Sequence, residues 1–160
     1  ICFVPDKDYA SFIEDYTGKS CPEGNFVDLQ GNVLGRHKGI SHYTVGQRKG
    51  LGLSFPQPMF VKEIDTEKNQ VVLAKAEELF SQEVTARDIN LISVGSIPQP
   101  MEVKARVRYR QKEQPATVVQ TGPDELKVVF HQPQRAITPG QALVLYQGDT
   151  VVGGGKIVGN

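Results

Sequence analysis

Cysteine is scarce. The 160 residues contain only Cys2 and Cys21, which excludes a disulfide framework. Neither stands at a familiar zinc spacing from His37, His42 or His131, so no metal site is expected. No apolar run approaches the roughly 20 residues that cross a bilayer, and the opening "ICFVPDKDYA" lacks the basic and apolar regions of a secretory signal. The expectation is a cytoplasmic protein without membrane contact, and a first residue of Ile1 rather than Met is that of a piece cut from a longer chain. Net charge is missing as well, 18 Lys and Arg balancing 18 Asp and Glu.

That balance hides segregation. Residues 1–28 carry six acids against Lys7 and Lys19, whereas residues 29–62 carry no acid at all. The acid-free window holds Arg36, Lys38, Arg48, Lys49 and Lys62, with six glycines between Gly31 and Gly52. Residues 63–90 turn acidic, and residues 101–114 turn basic again. Local charge of one sign favours a polyanionic partner even where the total is zero.

With 39% hydrophobic residues, 22% charged, 16 Gly and 10 Pro, the chain has the composition of a folded protein with many turns. Its length suits two small domains, divided here as 1–85 and 86–160. Tyr9, Phe12, Ile13 and Tyr16 recur at helical spacing between Pro5 and Gly18, which predicts one helix. Beyond it the period becomes two. "NFVDLQGNVLG" predicts two strands around Gln30–Asn32, and "MFVKEIDTEKNQVVLAKA" a hairpin turned at Glu67–Asn69. "LFSQEVTARDINLIS" reads as a strand followed by a connection, and "VGSIPQP" as a link. "EVKARVRYRQ", "PATVVQ" and "ELKVVFHQ" are strands, with a last hairpin turned at Gln147–Asp149. The expected fold class is mainly β: a small α+β domain followed by an antiparallel β-barrel.

Read as a strand, "KARVRYRQK" places Lys104, Arg106, Arg108, Arg110 and Lys112 on one face at about 6.6 Å intervals. Such a ridge suits a phosphate backbone; a solvated strand face is the plainer reading. "YTVGQRKGLG" adds Arg48 and Lys49 on a glycine-rich, pliable stretch that is otherwise a turn between strands. Two phosphate motifs fail. "GDTVVGGGK" has Gly154 where a P-loop requires Lys, and "GLGLSF" lacks the third glycine of a dinucleotide fingerprint.

Taken in order, "ICFVP", "GRHKGISHYTVGQRKGLGL", "RVRYRQ", "AITPGQALVLYQGD" and "VVGGGKI" resemble the C-terminal half of the bacterial tRNA-specific 2-thiouridylases over the whole length. The resemblance implies a parent enzyme with an N-terminal PP-loop domain that binds ATP, a small central domain and a barrel that helps seat tRNA. Such enzymes adenylate the wobble uridine of tRNAs for Lys, Glu and Gln, then deliver sulfur from a cysteine persulfide. The family's "SGGxDS" motif and first active cysteine have no counterpart here, so this fragment is expected to bind no cofactor and to be inactive alone. By its motif Cys2 is similar to the sulfur-carrying cysteine, charged by a sulfur-relay protein or a cysteine desulfurase, whereas Cys21 is structural. Arg108, Tyr109 and Gln141 carry over as tRNA contacts, and Arg48, Lys49, Arg106 and Arg110 are added from charge. The expected state is a monomer. A non-catalytic RNA-binding or translation-factor-like barrel is the alternative, as is a barrel that binds other proteins.

Overall fold

The computed structural model describes residues 21–158. The helix expected between Pro5 and Gly18, and Cys2 with it, lie outside them. The chain forms two compact units that part between Leu79 and Phe80, earlier than the division drawn from sequence.

In the first unit, strands β1 (Gly24–Val27), β2 (Val33–His37), β3 (Met59–Asp65) and β4 (Gln70–Lys75) form one sheet in the order β2-β1-β4-β3. Both expected hairpins are present, β1 with β2 and β3 with β4. Each turn is held by an aspartate at its start. Asp28 accepts from the backbone N–H groups of Gln30 at 2.9 Å and Asn32 at 2.8 Å, and Asp65 from those of Glu67 and Lys68. The two hairpins join through a parallel β1–β4 pair, which neither hairpin's sequence announces.

Phe26, Tyr43, Leu51, Val61, Val71 and Leu73 form the core of this unit. Burying each such apolar side chain contributes about 1.5–3 kcal/mol. His37 is buried with them, edge-on to Phe26 and Tyr43. Its Nδ1 accepts from the Gly39 N–H at 3.0 Å, which leaves Nε2–H to donate to the Asn69 carbonyl at 3.1 Å. One ring thus ties the end of β2 to the β3–β4 turn.

The second unit is a closed barrel of β5 (Phe80–Leu91), β6 (Met101–Arg106), β7 (Gln114–Gly122), β8 (Glu125–Arg135), β9 (Ala142–Gln147) and β10 (Thr150–Val158), ordered β10-β5-β8-β7-β6-β9. Every neighbouring pair is antiparallel. Sequence alternation places Val84, Ala86, Val103, Ala105, Val118, Leu126, Val128, Leu143 and Leu145 inside. "LFSQEVTARDINLIS", expected as a strand and a connection, is instead one strand of 12 residues. It is irregular in register where Asp88 adopts a φ of 52°, and the Asp124 carboxylate accepts from the Asp88 and Ile89 N–H groups there. A bulge pinned in this way lets the strand bend round the barrel without ending.

Closure brings β10 unusually near its neighbours. A Cβ on Gly154 would stand 2.1 Å from the Leu143 carbonyl oxygen, and one on Gly153 2.4 Å from that of Asn90. The triple glycine of "VVGGGKI" is therefore a packing requirement. No helix among the described residues is long and apolar enough to cross a membrane.

Candidate nucleic-acid interface

The five-cation ridge is not a strand. β6 stops at Arg106, because its ladder with β9 ends at the Arg106–Val144 pair and its ladder with β7 at Ala105–Gln114. Residues 107–113 must therefore turn the chain back, and the Gln111 N–H donates to the Arg108 carbonyl at 3.1 Å within that turn. Lys104 remains on the outer face of β6, while Arg108, Arg110 and Lys112 ride the loop.

This turn frees Arg108 and Tyr109 from the opposite faces that a regular strand would assign them. Tyr109 is 88% exposed. Arg108 is half-buried, and its Nη2 donates to the carbonyl of Ala136, a residue held at a φ of 51°. The Thr138 hydroxyl donates to the same carbonyl at 3.0 Å. Thr138 in turn accepts from the Gln141 N–H at 3.3 Å, and the Gln141 carbonyl accepts from Ile157 N–H at 2.9 Å. Arg108 and Tyr109 are thus joined to Gln141, far from them in sequence, at one rim of the barrel by loops 107–113 and 136–141. The Gln141 side chain is exposed there.

Arg106 sits below this rim with its guanidinium carbon 5.9 Å from the Tyr109 ring centroid and 5.4 Å from that of Tyr146. Cation–π attraction orients all three groups. Arg110 is exposed and, with Arg108, Gln111 and Arg135, lines a depression of about 310 Å³. Sequence reasoning missed Tyr146, Gln111 and Arg135. Tyr146 is across the ladder from Lys104, a neighbour visible only once the strands are paired, and Arg135 reaches the rim because β8 continues past Pro133.

Arg48 and Lys49 belong to the first unit and are exposed. Their stretch is not pliable. Gly46 N–H donates to the Val61 carbonyl at 2.7 Å, Val61 N–H to that of Gln47 at 2.9 Å, and the Gln47 carboxamide bridges Thr44 N–H and the Lys49 carbonyl. The glycines serve left-handed turns, with φ of 90° at Gly46, 76° at Gly50 and 70° at Gly52. Tyr43 and Leu51 anchor the stretch in the core, so the two cations are presented on a fixed scaffold.

Residues 10–75 match the tRNA methyl transferase PRC-barrel domain, and residues 81–157 the aminomethyltransferase beta-barrel domain. The tRNA-specific 2-thiouridylase MnmA of Acetivibrio thermocellus is 54% identical over 157 residues, a match covering 98% of this chain and 44% of that protein. Its counterparts in Clostridioides difficile and Carboxydothermus hydrogenoformans are each 51% identical over 157 residues, covering 98% of this chain and 44% and 43% of theirs. The chain spans less than half the length of these curated relatives.

Proposed function

Because the chain belongs to the tRNA-specific 2-thiouridylase family, of which it carries the central and barrel domains, we propose that it is the tRNA-docking part of a sulfurtransferase. The parent enzyme would replace the 2-oxygen of the wobble uridine in tRNAs for Lys, Glu and Gln by sulfur. ATP would activate that oxygen as an adenylate at a site outside these two domains. Cys2, which lies outside the described residues, would carry the sulfur as a persulfide received from a relay protein or a cysteine desulfurase. The terminal sulfur is a good nucleophile at neutral pH and would attack C2 as adenylate leaves. A second thiolate of the parent enzyme would then take the Cys2 sulfur into a disulfide and release the thiouridine. The work would be done in the cytoplasm by a monomer.

One observation supports docking above the rest: the barrel rim sets Arg108, Tyr109 and Arg110, with Arg106 against the Tyr109 ring, beside the segment that carries Gln141. Cations on a hydrogen-bonded frame beside an exposed aromatic ring suit an RNA with accessible phosphates and unstacked bases. Arg48 and Lys49 would add phosphate contacts from the first unit.

The test is fluorescence anisotropy of a labelled tRNA for Glu titrated with this chain at two salt concentrations, repeated with Gln141→Ala. Affinity that falls steeply with salt, and falls further without Gln141, is expected. Absence of binding at tens of micromolar protein would remove docking from these domains. In the parent enzyme Cys2→Ser should abolish thiolation while tRNA binding persists; a silent Cys2→Ser would favour a non-catalytic RNA-binding barrel.

A further inference from the structure

Below the rim, the outer wall of the barrel sets cations beside an aromatic ring. Val103, Ala105, Leu143 and Leu145 face the core, so the alternation of a strand turns Lys104 and Arg106 outward from β6, and Val144 and Tyr146 outward from β9. The ladder pairs Lys104 with Tyr146 and Arg106 with Val144. Residues directly opposite on one face stand about 4.5–5.5 Å apart at Cβ, and diagonal neighbours are within reach of long side chains. The Arg106 guanidinium carbon accordingly lies 5.4 Å from the Tyr146 ring centroid. On the other side of β9, Val151 of β10 pairs with Tyr146 and is 36% exposed.

Neither cation has an acid for a partner among the described residues. Glu102, the next outward residue of β6, is engaged on the far flank instead, by the Thr117 hydroxyl of β7 and by His131 Nε2 of β8 at 3.0 Å. Asp149 belongs to the β9–β10 turn. Lys104 is exposed, and its charge is available to an anion that meets the wall.

We propose that this wall, formed by Lys104, Arg106 and Tyr146, binds a second nucleotide of the docked RNA, its base on Tyr146 and the Arg106 guanidinium and its phosphate on Lys104. The inference rests on the docking reading above and extends the contact from the rim down the outside of the barrel. Arg106 meets the rings of both Tyr109 and Tyr146, so the two aromatic positions belong to one platform of planar groups. Unpaired bases stack on aromatic rings and guanidinium planes alike. A lysine directly across the ladder from the ring stands where the phosphate of a stacked nucleotide can be reached. Unpaired nucleotides suit this wall better than a duplex, whose bases are already stacked on one another.

The chain has no tryptophan, so Tyr146→Trp and Tyr109→Trp each install a single indole emitter. Each is titrated with a tRNA for Glu and with a fully paired RNA duplex. The tRNA should quench both variants, and the duplex, which offers phosphates without free bases, should quench neither at equal occupancy. In anisotropy, Tyr146→Leu should weaken tRNA binding about tenfold with its salt dependence unchanged, and Tyr146→Phe should bind like the wild type. Lys104→Gln should make the slope of log affinity against log salt shallower by about one. Thermal melts accompany every variant, and the exposed Lys104 supplies the reading should Tyr146→Leu melt early. Quenching in Tyr109→Trp alone, with affinity unchanged in Tyr146→Leu and Lys104→Gln, would overturn the wall and leave docking at the rim standing; no binding by the wild type would remove both. Equal quenching of Tyr146→Trp by the duplex would mean contact without stacking and would overturn the proposal as well.

Discussion

Arg106 lies against the ring of Tyr109, its guanidinium carbon 5.9 Å from the centroid, and so props an aromatic side chain that is otherwise almost wholly in solvent. A base stacked on such a ring is worth about 1–3 kcal/mol. Tyr109→Ala should therefore weaken RNA binding about five- to hundredfold, while Tyr109→Phe keeps most of the affinity. Because the ring buries little, calorimetry should find both variants melting with the wild type. A large drop in melting temperature for Tyr109→Ala would make the ring a structural support instead.

Arg108 differs from its neighbour in having two tasks. Its bond to the Ala136 carbonyl holds the loop that carries Gln141. Arg108→Ala should destabilise the barrel by about 1 kcal/mol, a shift of several degrees for a unit of this size, as well as weaken RNA binding. Arg110→Ala should weaken binding alone. Equal melting temperatures for the two variants would show that the loop stands without Arg108.

The strands of both units were legible because their apolar residues alternate and their turns are marked by Asp28-Leu29-Gln30-Gly31 and Asp65-Thr66-Glu67-Lys68-Asn69. The resemblance likewise named Arg108, Tyr109 and Gln141, whose backbone segments meet at one rim. What stayed illegible depends on pairing across the barrel. Alternation alone carried the cationic ridge on to Lys112, whereas the ladders of β6 with β7 and β9 end it at Arg106. The same blindness hid Tyr146 and Arg135, each brought to the rim by its place in a ladder. The parallel β1–β4 pair and the anchoring of Arg48 and Lys49 are contacts between segments that no local period records.

Gly154→Ala should be severely destabilising, since its methyl group meets the Leu143 carbonyl oxygen in the backbone of the neighbouring strand, which cannot swing aside. A loss of several kcal/mol, or an insoluble product, is expected. Gly95→Ala is the matched control, because a Cβ there meets nothing within 4 Å, and it should melt like the wild type. A soluble Gly154→Ala barrel with an unshifted melt would contradict the strand spacing.

Acid should loosen the β1–β2 turn only late in a titration. The Asn32 side-chain amide, with the backbone N–H groups of Asn32, Gln30 and Gly31, holds the Asp28 carboxyl below its ordinary 3.8, against a smaller opposing effect of burial. A depressed carboxylate contributes stability above its unfolded value and loses it as pH falls through the folded one. The turn should stay formed above about pH 5 and loosen only below 3.8. Following the Asn32 side-chain amide by NMR during acid titration would show this, and Asp28→Asn should remove the step. A transition near neutrality would point to another group.

The barrel's first strand, β5, is hydrogen-bonded to its last, β10. Until β10 is added, the other five strands therefore leave two raw edges, β5 and β9. The rim proposed to meet RNA, whose Gln141 carbonyl is bound by Ile157 of β10, is completed at the same moment. A chain stopped before β10 would thus lack both a closed barrel and the completed rim on which the proposed grip depends.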